Sequence, residues 1–378
     1  MGRMIIIVTT LFLVFHLPFE GIAVTEEKLI GWKGETYDPD AYWDPLNLTA
    51  SKHDSIPLPS SRSWIEIISF PAIFHGVSWQ PRAFIYHNFI SNREARHLIE
   101  LAAVEMKRST VVGEGGKSVL DGYRTSYGTF LRRYQDDVVK RVEHRVAAWT
   151  QIPVEHQEDI QVLRYGIGQF YRVHADTLRD PEAGVRVATV LVYLNEPDEG
   201  GETAFPRSSW INPKLAETSG PFSDCAKNGV AFKPKRGDAL LFWSINPDGI
   251  TEDFHASHTG CPVISGAKWT MTKWIHAKPF RPAELSFARR SGGVHVDKWR
   301  VDPGHCSDLS SGCSSMTAEG KLCEQEKDKF IVSATGLGIC RKTCGACKDC
   351  EEADVACFNH NREKVGYLSF NASELQLM

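Results

Sequence analysis

The sequence predicts a mainly β fold with flanking helices, followed by a small disulfide-rich module, and three observations carry that prediction. From Gln161 onward, short β-type runs such as Val187 to Leu194 and Asp238 to Trp243 are separated by Gly/Pro/Asp turns, the pattern of a jelly-roll barrel. Ahead of them stand two segments with apolar residues at helical spacing. Beyond about Pro303 the composition changes abruptly, and six of the ten cysteines lie between Cys306 and Cys347.

Taken in order, Met1-Gly2-Arg3 leads into a mostly apolar run from Met4 to Leu17, then Pro18 and the small residues Gly21 and Ala23. A basic start, an apolar run of this length and a small-x-small site describe a secretory signal peptide over residues 1–23, with cleavage expected after Ala23. The run is short of the ~20 apolar residues a membrane span needs, so a retained signal anchor is the second reading. Residues 24–80 are rich in Pro, Trp and Asp with little periodicity, and read as an irregular lumenal stalk. Ser91-x-x-Glu94 is a capping-box pattern ahead of Leu98, Leu101 and Ala102. Asp136 precedes Val138, Val142, Val146 and Trp149 at helical spacing, and both helices are expected on the outside of a sheet. The Gly-rich stretch Gly113 to Gly116 reads as a mobile flap or as an ordinary loop.

With 378 residues, the chain has room for one large core plus a small module. A net charge of −4 and a hydrophobic content of 42% exclude wholesale disorder and a strong polyanion-binding field, so nucleic acid is not an expected partner. Ten cysteines and the sequons Asn47-Leu48-Thr49 and Asn371-Ala372-Ser373 point to an oxidising compartment.

His174-Ala175-Asp176 lies in one strand-like segment, where residues i and i+2 project from the same face. His174 and Asp176 would therefore chelate one ion together, and His258 supplies a third ligand from elsewhere. Two imidazoles and a carboxylate leave half of an octahedron open, which suits non-haem iron(II) oxygen chemistry. Ten positions after His258, Lys268 opens KWTMTKWIH, a β-prone stretch of period-two character. Lys268, Thr270, Thr272, Trp274 and His276 fall on one face, with Trp269, Met271, Lys273 and Ile275 on the other. A lysine inside a barrel is costly unless an anion accompanies it. The competing reading is a solvated lysine on an edge strand.

Four ordered blocks within Gln161 to His276 resemble the catalytic domain of prolyl 4-hydroxylases, most closely the plant and algal secretory type: QVLRYGIGQFYRVHAD, RVATVLVYLNEPDEGGETAFP, CAKNGVAFKPKRGDALLFW and HTGCPVISGAKWTMTKWIH. The resemblance implies a double-stranded β-helix with iron(II) held by His174, Asp176 and His258. It implies 2-oxoglutarate as cosubstrate, its distal carboxylate bound by Lys268 with help from the Tyr165 hydroxyl, and L-ascorbate to rescue oxidised iron. The implied reaction places a hydroxyl on C4 of a peptidyl proline and releases succinate and CO2. A proline-rich secreted or cell-wall polypeptide is the implied partner, matched by Arg124, Ser126, Glu158, Tyr171, Arg186, Trp274 and His276 at the family's peptide-contacting positions. Aromatic faces with a few hydrogen-bonding groups suit a polyproline II chain; the alternative is that Arg124 and Glu158 only hold the barrel together. Ala175, Thr177, Leu178, the short loop Arg179 to Gly184, Val185 and Thr259 depart from the family's pattern near the expected substrate entrance. Two other functions compete: a related oxygenase with a lysyl or non-peptide substrate, and an inactive barrel whose cystine module serves protein interaction.

Downstream, the C-x3-C-x2-C ending at Cys340, Cys344 and Cys347, with Cys306, Cys313 and Cys323 upstream, resembles an ShK-toxin-like (ShKT) module. Six cysteines allow fifteen pairings. The resemblance implies Cys306 with Cys347, Cys313 with Cys340, and Cys323 with Cys344. A zinc knuckle competes, though paired C-x2-C ligands are absent from the sequence. Cys225 and Cys261 are expected to pair, and Cys350 and Cys357 are left for an extra bridge. The expected organisation is then a dioxygenase domain over 81–280, a linker over 281–305, the ShKT-like module over 306–347 and a tail over 348–378.

Overall fold

The computed structural model describes residues 74–112, 118–290, 301–316, 321–333, 336–351, 354–371 and 374. The signal segment, most of the stalk, the sequon at Asn47, the glycine-rich stretch from Gly113 and the last two residues of the second sequon lie outside them.

Two antiparallel sheets form the core. The larger has nine strands, in the spatial order Phe74–Trp79, Arg82–Tyr86, Ala239–Trp243, Gly184–Asn195, Lys268–His276, Ile160–Tyr165, Tyr127–Leu131 and Lys107–Arg108, with Arg179–Asp180 pairing against the 184–195 strand. The smaller has four: Val230–Phe232, Thr203–Phe205, His258–Gly260 and Tyr171–His174. This is the mostly β, jelly-roll core that the spaced β runs predict.

Side-chain alternation divides the molecule into two apolar cores. On the 184–195 strand, Ala188, Val190, Val192 and Leu194 pack outward against the helices, together with Ala239, Leu241, Trp269, Met271 and Ile275. Tyr193, Leu240 and Phe242 point the other way and meet Phe205, Val230 and Phe232 of the smaller sheet. A period of two thus gives one strand two different neighbours. Asn92–Ala103 begins with the capping box of Ser91 and Glu94, and Asp136 caps Asp137–Thr150 by accepting from the Val139 amide. Both helices bury one apolar stripe on the outer face of the large sheet.

Three boundaries differ from the sequence reading. Phe74–Trp79 is a strand that pairs with Arg82–Tyr86 and buries Val77, so the sheet starts inside the stretch expected to be stalk. The Pro- and Trp-rich surroundings hide its short alternation. The expected linker opens with a helix, Pro282–Arg290, whose Leu285 packs on Tyr134 and Val154. One leucine per two turns is too weak a stripe to read as a helix from sequence. Finally, the expected tail is packed rather than free: Val355–Glu363 is a helix, and Leu368 and Phe370 enter the main core.

All ten cysteines are bonded: Cys225 to Cys261, Cys306 to Cys347, Cys313 to Cys340, Cys323 to Cys344 and Cys350 to Cys357. Cys313, Phe330 and Cys340 make a small core of their own inside the C-terminal module.

Candidate active site

Strand register brings the sequence-distant histidines together. Tyr171–His174 pairs with His258–Gly260 so that His174 and His258 are direct cross-strand partners. Asp176 lies two residues past the end of its strand rather than within it. Its carboxylate nonetheless turns to both imidazoles, with Oδ1 3.7 Å from His174 Nε2 and Oδ2 3.9 Å from His258 Nε2. One ligand atom from each of the three lies within 4.8 Å of the others, a spacing that one metal ion would fit.

Each side chain is oriented by a second partner. His174 Nδ1 donates to the Arg172 carbonyl at 2.8 Å and His258 Nδ1 to the Ala256 carbonyl at 3.1 Å, which leaves both Nε2 lone pairs aimed at the common centre. Thr189 donates to Asp176 Oδ2 at 2.7 Å. Tyr171 stacks on His174 with centroids 3.6 Å apart, and Phe242 meets His258 edge-on at 4.7 Å. Burial, reinforced by His258, pushes the His174 imidazole down to about 3. Burial alone would raise the Asp176 carboxyl, but His258, His174 and Arg186 outweigh it and hold it at about 2. At neutral pH the site therefore presents a neutral His174 and an ionised Asp176, the protonation states a cation requires.

These groups form one end of a cleft enclosing about 430 Å³ of atom-free space, its mouth included. Lys268 also lines it, opposite Tyr165 in the strand register, and is only 3% exposed. The solvated edge-strand reading is thereby overturned: the 268–276 strand is central and buried at every residue. Lys268 Nζ has a single long hydrogen bond, to Thr203 Oγ1 at 3.4 Å. Burial lowers its pKa to about 7, and the Glu202 carboxylate only partly opposes this. Glu202 is itself engaged by the Ser223 amide and hydroxyl, both at 2.8 Å. Two more cleft-lining groups, Thr270 Oγ1 and Trp274 Nε1, are buried without a hydrogen-bond partner. Buried donors without partners beside an under-coordinated lysine are costly unless an acceptor meets them, and they fit a small polar anion.

The remaining expected residues divide into two groups. Arg124, Tyr171 and Trp274 line the cleft. Arg124 packs 4.7 Å over the Tyr171 ring and donates to Ser126 Oγ and Gln161 Oε1, so Ser126 stands behind it. Glu158, Arg186 and His276 instead join one another: Glu158 pairs with Arg186 (Nη2 to Oε2, 3.0 Å) and with His276 Nε2 at 2.7 Å. The Arg186 guanidinium lies 3.8 Å over the Trp274 ring. This cluster supports Trp274 from behind the cleft wall.

Gln161, Thr189, Leu191 and Thr203 also belong to the site, and no motif in the sequence singles them out. The phase of the 184–195 strand places Thr189 and Leu191 on the face of Tyr193. Their proximity to Asp176 depends on sheet stacking, which no local pattern encodes.

Residues 160–276 match the 2OG-Fe(II) oxygenase superfamily, a span that holds the three ligands, the lysine, the whole smaller sheet and the central strands of the larger one. The chain is 39% identical over 303 residues to a probable prolyl 4-hydroxylase 4 of Arabidopsis thaliana, covering 78% of this chain and 95% of that one. It is 38% identical over 283 residues to prolyl 4-hydroxylase 2 of the same plant, covering 73% and 89%. It also resembles the solved 2OG complex of a viral collagen prolyl hydroxylase from Paramecium Bursaria Chlorella virus-1, at 26% identity and a TM-score of 0.38 over 55% of this chain and 97% of that one. The chain belongs to the prolyl 4-hydroxylases of the 2OG-Fe(II) oxygenase superfamily, and is a 2-oxoglutarate-dependent enzyme of that class.

Proposed function

We propose that the protein hydroxylates C4 of proline in proline-rich secreted polypeptides, with iron(II) held by His174, Asp176 and His258. The observation that carries this reading is the cleft itself: a preformed two-imidazole, one-carboxylate set at one end and a buried lysine with spare donors in the same cavity. Iron(II), with dioxygen and 2-oxoglutarate, supplies the oxidant that inserts one oxygen atom at C4 as succinate and CO2 leave. The protein's part is to bind, orient and exclude water. Lys268 takes the distal carboxylate of 2-oxoglutarate in a charge-assisted contact, with Tyr165 and Thr270 beside it. Arg124 is the other cation that lines the cleft, but its Nε and Nη2 already donate to Ser126 and Gln161. The peptide passes along the cleft beside Tyr171 and Trp274, whose ring faces are packed by His174 and Arg124 and by Arg186, while Glu158, Arg186 and His276 hold Trp274 in place.

The chain enters the secretory pathway through its first 23 residues, as a cleaved signal or a type II anchor of the endoplasmic reticulum or Golgi, and is glycosylated there. Five disulfides among the described residues suit that compartment. Residues 306–347 serve as an ShKT-like accessory module, and L-ascorbate keeps the iron reduced.

Incubation with poly-proline, extensin-like and collagen-like peptides, iron(II), ascorbate and 2-oxoglutarate is expected to add one oxygen to proline, with one succinate per hydroxyl. A gain confined to lysine, or succinate without any peptide change, sinks the proposal.

Lys268 adds a pH signature. Its free-enzyme pKa of about 7 must rise when a carboxylate binds beside it, because the anion favours the charged form. Affinity for 2-oxoglutarate is therefore level below pH 7 and weakens above it, by up to about tenfold per pH unit, until the pKa of the complex is reached. His174 at about 3 and Asp176 at about 2 do not titrate in that window. Binding titrations across the range show this slope, and Lys268→Met should weaken binding and flatten it. An unchanged slope in that variant would falsify the lysine's assignment.

A further inference from the structure

The segment that follows the cystine module is built into the catalytic core. After the Val355–Glu363 helix the chain runs back along the outer face of the large sheet. Arg362, fully buried, donates to the Ala103 carbonyl at 2.7 Å and to the Leu368 carbonyl, and pairs with Asp302. Tyr367 bridges to Lys107, and the Leu368 amide donates to the Met106 carbonyl at 2.9 Å. Phe370 stacks on Trp269, with centroids 6.3 Å apart and planes inclined by 22°. Beyond it, Glu374 closes a bidentate pair with Arg164, Oε1 to Nε at 2.7 Å and Oε2 to Nη2 at 2.8 Å.

The two residues gripped at the far end are direct cross-strand partners, Arg164 opposite Trp269. The next pair along the same ladder is Tyr165 opposite Lys268, whose side chains enter the cleft. Alternation places the two pairs on opposite faces of the sheet, so the segment presses on the back of the two strands that carry the proposed carboxylate site. The long hydrogen bond of Lys268 to Thr203 does little to orient its four-carbon stem. Its position is set by packing against the Tyr165 and Tyr193 rings and by its backbone, and that backbone is clamped through Trp269 from behind.

We propose that residues 362–371, with Glu374, are a strap that fixes the 160–165 and 268–276 strands in register for the cosubstrate, with Arg164, Phe370 and Glu374 as positioning residues for Lys268. This rests on the assignment of the distal carboxylate of 2-oxoglutarate to Lys268. This C-terminal segment thus contributes to cosubstrate capture without touching the cosubstrate, and Asn361, next to the strap, donates to the Gly304 and Lys348 carbonyls on either side of the cystine module, which ties the module's two ends to the same segment.

The test compares the full-length enzyme with Glu374→Gln, with the charge-swapped Arg164→Glu/Glu374→Arg, and with Lys268→Met. Glu374→Gln is expected to raise KM for 2-oxoglutarate about fivefold while kcat stays within about twofold. Hydrogen exchange should quicken in the 160–165 and 268–276 strands of that variant and stay unchanged in Ala239–Trp243; the charge swap should reverse both effects. A lower melting temperature with unaltered KM and exchange would show a structural cover only, and overturns the proposal. If Lys268→Met raises KM while Glu374→Gln does not, the strap fails and the carboxylate assignment stands. If Lys268→Met leaves KM unchanged, the assignment itself falls, and the strap's proposed role with it.

Discussion

Asp176→Ala is expected to leave no peptide-dependent succinate formation above background, and His174→Ala the same, while both variants still fold. The carboxylate is the only anion of the three-ligand set, and it is held between two imidazoles by Thr189. Removing it leaves two imidazole nitrogens, too few donors and no anionic ligand to hold a hard divalent cation. The structural cost is small by comparison. One hydroxyl loses its partner, about 1–3 kcal/mol, and an ion is taken out of a buried place. Circular dichroism and a melting curve separate loss of chemistry from loss of fold. Turnover in either variant at the parent rate would rule the site out.

The largest loss of stability is expected from Lys273→Met, on the opposite face of the strand that begins at Lys268. Lys273 Nζ lies 2.6 Å from Glu143 Oε1, both side chains fully buried between the sheet and the Asp137–Thr150 helix. Glu143 also accepts from the Tyr134 amide at 3.0 Å. Burial raises the Glu143 carboxyl and lowers the Lys273 ammonium, and each is opposed by the other's charge. Removing the lysine strands a carboxylate in the core, at about 3–5 kcal/mol. Without its partner, Glu143 has a folded pKa well above its unfolded value, so the folded state binds the extra proton. The variant's deficit then grows as pH rises above about 4.5, the ordinary glutamate range. Replacing both partners, Glu143→Leu with Lys273→Met, should recover most of the loss, because two apolar side chains of similar size leave no orphaned charge. Urea unfolding of the single and double variants measures both. A single variant as stable as the parent would show that the pair carries no structural load.

Several features of the site were readable one residue at a time. The i, i+2 spacing named His174 and Asp176, and the alternation of KWTMTKWIH separated the cleft face of Lys268, Thr270, Thr272 and Trp274 from the core face of Trp269, Met271 and Ile275. Local patterns carry such information because strand geometry repeats every two residues whatever surrounds it. The same logic stops at the partner. Lys273 was legible as a residue of the outward face, but not its pairing with Glu143, 130 positions earlier. Glu158, Arg186 and His276 were legible as polar groups near the site; that they bind one another depends on where three separate segments meet. The C-terminal segment shows the limit most plainly. Leu368 and Phe370 make a single i, i+2 pair, too short an alternation to distinguish them from a solvated tail, yet they help close the main core.

By itself, then, the sequence determined the mainly β class, the two capped helices, the cystine-rich C-terminus and the residue types of an iron and carboxylate site. Each depends on spacing within a few residues, or on a run of blocks in a recognisable order. Only the tertiary structure decided that Asp176 reaches its partners from beyond the strand end, that Thr189 steadies it, and that Lys268 sits dry and under-coordinated in the same cleft. Only the fold, likewise, brought Glu374 to Arg164 across 210 positions. Those contacts arise where two sheets stack and a terminal segment packs back, and a buried charge finds its partner there because leaving it unpaired costs more than the entropy of closing the loop.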